Sequence, residues 1–284
     1  MYLNINFLHF VKKLKHILKY PLGFAPAGAE HPLQGADNYL KLTPLPIRGD
    51  FIMIDEVELL NLALRNIRKV LDFNPYKSYP GVKSREEFQQ LLSQDPAFGV
   101  LGLDDERYII ARVGGNLVTS LHRKLGDMYE ALFNYLLQQS FNLNDSELHY
   151  SVEVKIGDRI QIRSTDGLIR KKYFNDNIPE SWRQYQGVGF EVRSCYQIGD
   201  SKRIQADYDM SLALKANQIL PVMLVFCNTS LRSPLTRLSK SWELYEGIDT
   251  FNLIRSITGF DLDNFLLTNS QTLKQEINDI LSKI

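Results

Sequence analysis

Cysteine is scarce. Cys195 and Cys227 are the only two in 284 residues, which excludes a disulfide scaffold and points to a reducing, cytoplasmic setting. Histidine is scarce too, five residues scattered along the chain, so a structural zinc site built from cysteine and histidine is not expected. No apolar run reaches the ~18 residues that a membrane span needs. Charge of one sign is missing: 33 lysines and arginines face 33 aspartates and glutamates. That balance argues against a generally polybasic protein and leaves room for a local basic cleft. Gly114-Gly115 is not followed by Gly-Lys-Ser/Thr, so it is no phosphate loop. No segment repeats with a period of 20 to 50 residues, which argues against a solenoid. What remains is 44% hydrophobic and 23% charged, an ordinary globular composition.

Patterning organises the chain. Phe7 to Leu18 carry apolar residues at helical spacing opposite four lysines, the pattern of a basic amphipathic surface helix. Residues 21–50 are rich in glycine and proline and read as loop or linker. A helix is expected over 51–72, ending before Pro75. A second begins at the capping box formed by Ser84 and Glu87. Residues 117–141 form a long helix with a break expected near Gly126. Strict alternation then marks a strand over 148–156, and Gly157-Asp158 turns the chain into a second strand, RIQIR, running on to Asp166. A charged loop leads to a third strand, GVGFEVRSCYQI, with Val188, Phe190 and Val192 on one face and Glu191 and Arg193 on the other. Gly199-Asp200-Ser201 starts a helix over 202–218. LPVMLVFC reads as a fully buried strand, followed by a helix at 231–240, a short strand at 242–245 and helices at 250–258 and 261–268. The sum is α/β: three antiparallel-looking strands, a crossover helix and a buried strand in a mixed central sheet flanked by helices.

Three acids are candidates to converge at the sheet edge: Asp166, Glu191 and, from the long helix, Glu130. Hard divalent cations take carboxylate oxygens, and phosphodiester hydrolysis uses such a cation to activate water. Arg193, two positions after Glu191, shares its strand face, and a Glu-x-Arg pair suits an anionic phosphate. Any exposed strand face can carry the same pair as a solvated ion pair, so context decides. Between Lys155 and Arg203 ten basic residues outnumber six acidic ones, whereas from Ser241 onward seven acids outnumber three bases. A locally basic strand region can steer a polyanion. Arg163, Lys171, Lys172, Lys202 and Arg203 are the candidates for contacting it.

Four stretches in order, SLHRKLGDMYEALF, RSTDGLI, GVGFEVRS and RIQADYDMSLALKANQILPVMLVF, together with the run WELYEGIDTFNLIRSITGFDLDNFL, resemble type II restriction endonucleases of the PD-(D/E)xK nuclease superfamily. The resemblance covers roughly residues 112–268. It implies a restriction-endonuclease-like fold in which Asp166 and Glu191 hold Mg2+ and Glu130 supports it. Arg193 stands where the family has lysine. Arginine keeps the charge and contacts phosphate well, but with a pKa above ~12 it does not act as a base; Lys202 is one alternative source of an amine. A second match, Glu153-Val154-Lys155 with Asp145 upstream, fits Glu-x-Lys literally, but Asp145 sits only eight residues before Glu153 and the crossover helix does not follow this strand. His122, His149, Asp207 and Asp209 read as hydrogen-bonding or supporting groups.

The expected organisation is a mostly helical part over 1–100, available for DNA recognition or dimerisation, and a nuclease core over 101–284. The resemblance implies a homodimer that cuts double-stranded DNA at a short specific sequence, with a cognate DNA methyltransferase as its cellular counterpart. The rival expectations are a DNA-binding protein on an inactive nuclease scaffold and a structure-directed repair or recombination nuclease.

Overall fold

The computed structural model describes residues 54–76, 79–156, 159–197 and 201–282. The expected amphipathic helix at 7–18, the loop at 21–50, the turn at Gly157-Asp158 and the Gly199-Asp200 cap lie outside them. Residues 51–284 form one compact unit.

Helix α1 (Glu56–Arg68) starts where Asp55 accepts hydrogen bonds from the amides of Val57 and Glu58, and Arg65 and Arg68 close its last turn. Helix α2 (Arg85–Ser93) starts at Ser84, whose hydroxyl accepts from the Glu87 amide. The Glu87 carboxylate reaches back to the Lys83 amide, one residue further than the usual box. Helix α3 (Glu106–Phe141) is 36 residues long and runs unbroken through Gly114, Gly115 and Gly126. The break expected near Gly126 is absent, because the apolar spacing from Ile109 to Phe141 keeps one side buried throughout. Its first half packs Ile109 and Val113 against Phe88 and Leu92 of α2. Its second half covers the sheet. Leu59, Ala63 and Ile67 of α1 join that same core, so packing continues across the boundary expected near residue 100.

The strands divide differently from the expected three-stranded run. β1 (Ser151–Ile156) and β2 (Arg159–Ser164) form a separate antiparallel hairpin, with Ser151 opposite Ser164. The segment expected to be a charged loop contains a strand, β3 (Gly167–Arg170), which pairs antiparallel with β4 (Gly187–Arg193). Helix α4 (Ser201–Ala216) then crosses over to β5 (Ile219–Val225), which is parallel to β4 and buried at every residue. A parallel neighbour requires such a crossover. Helix α5 (Arg232–Leu238) leads to β6 (Glu243–Glu246), parallel to β5, and completes the order β3-β4-β5-β6. Helices α6 (Ile248–Thr258), α7 (Leu262–Thr268) and α8 (Ser270–Leu281) follow; Gly259, at φ 75°, ends α6. α8 had no counterpart in the expected elements.

Two cores sandwich the sheet. Phe190, Val192, Val222 and Leu224 meet α3, α6 and α7 on one side. Leu168, Met223 and Val225 meet α4 and α5 on the other, through Met210, Leu214, Leu235 and Leu238. Each of these side chains, if fully buried, contributes roughly 1.5–3 kcal/mol. The architecture is α/β, a mixed four-stranded sheet between helical layers. Glycine sets how closely the layers approach: a Cβ at Gly167 would lie 3.2 Å from Leu137 and Phe133 of α3, and one at Gly189 would lie 3.1 Å from Leu214 of α4. Among the described residues no helix is long and apolar enough to cross a membrane.

Candidate active site

Asp166 occupies the crossing between the hairpin and the main sheet. It lies between β2 and β3 rather than at the end of the second strand. The Thr165 amide donates to the Tyr150 carbonyl, the Tyr150 amide donates to the Thr165 hydroxyl, and His149 Nδ1 lies 2.8 Å from the Thr165 carbonyl. The Asp166 amide then donates to the Phe190 carbonyl, continuing the β3–β4 ladder, and its Oδ2 accepts from the Val192 amide at 2.8 Å. Its carboxylate is therefore fixed beside the β4 segment that carries Glu191 and Arg193.

On β4, alternation sends Phe190 and Val192 into the α3 side of the sheet and Glu191 and Arg193 to the α4 side. There the Arg193 guanidinium gathers three acids. Nη1 donates to Asp166 Oδ2 at 3.1 Å and to the Val192 carbonyl at 2.8 Å. Nη2 donates to Glu191 Oε1 and to Asp207 Oδ1, the latter at 2.6 Å, and Nε donates to Asp207 Oδ2 at 3.3 Å. A guanidinium has five N–H groups, and all five have acceptors within the chain. Asp207, on α4, was expected to be either a helix-surface or a supporting group. It is instead buried to 2% exposure, because Asp207, Met210, Ser211 and Leu214 share the core-facing side of the helix. Tyr196 donates its hydroxyl to Asp207 Oδ2 at 2.5 Å, and Trp242 donates its indole N–H to the Asp207 carbonyl at 2.9 Å. Tyr196 falls within the run expected to form the third strand, but β4 ends at Arg193 and Tyr196 lies in the irregular segment beyond it. Asp209, half-buried, pairs with Gln205.

Burial pushes the carboxyls of Asp166 and Glu191 above their ordinary pKa, with Arg193 opposing the shift. Burial alone would lower the Arg193 pKa, but Glu191, Asp207 and Asp166 together hold it above its ordinary value. Glu130, from α3, is half-buried, and its carboxyl is pushed up to about 7, by burial first and then by Asp166. Three acids thus contact a single guanidinium, and Glu130 lies within its electrostatic reach.

A cleft of about 440 Å³ opens on this cluster, lined by Glu191, Arg193 and Asp207 and by the basic residues Arg163, Lys202 and Arg203. Arg203 also borders a neighbouring cleft of about 320 Å³ with Arg123 and His122. His122 Nδ1 there lies 3.3 Å from Cys195 Sγ. Of the five basic residues singled out in the sequence, Arg163, Lys202 and Arg203 reach the site cleft. Lys171 and Lys172 lie in the short turn after β3, where Lys172 pairs with Glu147 at 3.0 Å and sits over the Tyr173 ring. The rival Glu-x-Lys pair is placed elsewhere: Glu153 is exposed on the two-stranded hairpin, and Asp145 accepts from Gln138 in a short turn.

The donor set suits magnesium. Among the described residues no trio of acids, histidines or cysteines is gathered for metal ligation, but Mg2+ is commonly held by one or two carboxylates plus water and phosphate oxygens. Asp166 and Glu191 offer hard oxygen donors, each already accepting a hydrogen bond from Arg193. No family of proteins, no curated protein and no solved structure matches the chain.

Proposed function

We propose that the chain is a sequence-specific, Mg2+-dependent endodeoxyribonuclease, a type II restriction enzyme with a restriction-endonuclease-like core that hydrolyses phosphodiesters of duplex DNA. The observation that carries this reading is the pairing of Asp166 with Glu191-Val192-Arg193, beside a cleft that Glu191 and Arg193 line together with Arg163, Lys202 and Arg203. The crossover through α4 to a parallel, buried β5 supports it as well.

In this reading Asp166 and Glu191 are the metal ligands, with Glu130 beside them. Bound Mg2+ supplies a water of lowered pKa and neutralises charge developing on phosphorus. Arg163, Lys202 and Arg203 hold the DNA backbone by charge, a contact that weakens with salt. The proposed enzyme is a cytoplasmic homodimer acting beside a cognate methyltransferase, with two active sites for the two strands of a symmetric sequence. Incubation with a sequenced plasmid, with and without Mg2+, tests the proposal: discrete fragments are expected only with the ion. One observation favours a second reading. All five Arg193 donors are satisfied internally, as suits a DNA-binding protein on an inactive scaffold. Retarded but uncut DNA at every Mg2+ concentration would select that reading.

A further inference from the structure

The contacts of Arg193 fall on two edges of the guanidinium. The side edge, Nε with Nη2, forks onto Asp207, whose Oδ2 and Oδ1 accept one N–H each. The outer N–H groups go to Asp166, Glu191 and the Val192 carbonyl. The two edges have unlike supports. Glu191 and Asp207 both border the cleft and both are buried, at 6% and 2% exposure, but of the three acids only Asp207 sets both oxygens on the guanidinium, and it is pinned further by the Tyr196 hydroxyl and, at its carbonyl, by Trp242. Fork pairing of arginine with a carboxylate is directional as well as strong, and lysine does not reproduce it.

We propose that Asp207 is a positioning residue: it keeps the side edge of Arg193 docked while Asp166 and Glu191 let go of the outer edge. This deepens the nuclease reading and rests on it, because those two carboxylates would release Arg193 on engaging a divalent cation. Arg193 then turns from an internal counterion into a donor for an anionic oxygen in the cleft. Its direction is set by the Asp207 fork, and Tyr196 keeps that carboxylate from swinging.

The experiment observes the guanidinium directly. The full chain is labelled with 15N-arginine, and the Arg193 Nε–H resonance is assigned by its loss in Arg193→Lys. The expected result is a resonance protected from exchange with water, which persists when Ca2+ or Mg2+ is added while the Nη signals shift. Asp207→Asn should abolish the protection with the far-ultraviolet circular dichroism unchanged, and slow single-turnover cleavage about 10- to 100-fold. It should leave Ca2+ affinity by calorimetry near that of the wild type. Tyr196→Phe removes one hydroxyl only, and carries the test if the Asp207 variant does not fold: faster Nε–H exchange is expected. Unchanged protection in either folded variant, loss of protection on adding the cation, or no response to any divalent cation would each overturn the proposal. Plasmid cleavage separates the two ideas. Cut plasmid with unchanged Nε–H protection in Asp207→Asn removes the positioning role and leaves the nuclease standing. Uncut plasmid with the expected Nε–H behaviour does the reverse.

Discussion

The chain carries the pattern Glu-Val-basic twice, at Glu191-Val192-Arg193 and at Glu153-Val154-Lys155. Both lie on strands with an antiparallel neighbour, yet their surroundings have little in common. β4 is an interior strand, paired on both sides and covered by helices on both faces, and Glu191 is 6% exposed. β1 belongs to a two-stranded hairpin, and Glu153 stands in solvent opposite Ile162, itself 75% exposed. Spacing puts an acid and a base on one strand face in either place. Burial makes the β4 pair consequential, because a desolvated charge must find partners. On β4 it finds Asp166 and Asp207; on β1, water suffices for Glu153.

Substitutions can break the comparison, beginning with the largest effect. Asp166→Ala or Glu191→Ala is expected to abolish Mg2+-dependent cleavage in a plasmid assay while duplex binding persists in a gel-shift assay. Full cutting by either variant would remove β4 from the site.

Next in size is Arg193→Ala, which strands three carboxylates around a vacated centre. Breaking a buried ion-pair network by removing one partner costs about 3–5 kcal/mol, read as a lower midpoint in urea. Losing a charge contact to the transition state slows cleavage about a hundredfold or more. Arg193→Lys keeps the charge with three donors instead of five, so cleavage should survive better than stability. A wild-type midpoint for the alanine variant would mean that the cluster does not hold β4 to α4.

Glu130 sharpens the comparison through pH. Its carboxyl is pushed up to about 7 in the folded chain. The unfolded chain therefore loses this proton first as pH rises from about 4.5 towards 7, so this group's contribution to stability falls across that window and stays low above it. Glu130→Gln should flatten the slope and raise stability at pH 8 by on the order of 1 kcal/mol, allowing for solvent screening. Melting curves at pH 5 and pH 8 check this, and an unchanged difference between them would sink it.

The smallest effects belong to the hairpin. Glu153→Gln and Lys155→Met should leave cleavage intact and stability within about 0.5 kcal/mol. An inactive Lys155 variant beside a fully active Arg193→Ala would transfer the site to β1.

Much of this arrangement was legible in the sequence because alternation and helical spacing report burial directly. The faces of β4, the burial of β5, the crossover helix and the Gly259 stop all followed from period and composition. β3 was hidden for a physical reason. Only Gly167, Leu168, Ile169 and Arg170 form it, two lysines follow, and its burial comes from helices on both sides, α3 over Gly167 and α4 and α5 over Leu168. The unbroken course of α3 was missed because glycine weakens a helix by about 1 kcal/mol, less than a continuous buried stripe restores. At the site, Asp166, Glu191 and Arg193 are brought together as expected, with Glu130 nearby. Asp207 was undervalued, although its signal was present: an acid in register with Met210 and Leu214 on a core-facing helix stripe needs a buried partner. Tyr196 was read as part of the third strand, and strand alternation could not report that the chain leaves β4 at Arg193 and turns the Tyr196 hydroxyl to Asp207.

Arg193 also bears on how the chain comes to be folded. A cluster of carboxylates ordinarily repels itself until an ion from solution arrives, and folding then becomes hostage to the supply of that ion. Here the counterion is covalently part of the strand and is delivered when β4 docks on α4. The fold should mature in a chelator as readily as in magnesium, and magnesium should raise the melting temperature only as far as the ion binds the folded chain. The converse is a weaker grip on the ion, since every incoming cation competes with a tethered rival whose local concentration never falls. If the proposed nuclease reading holds, such a site is assembled at synthesis and would respond to magnesium only where the ion is plentiful.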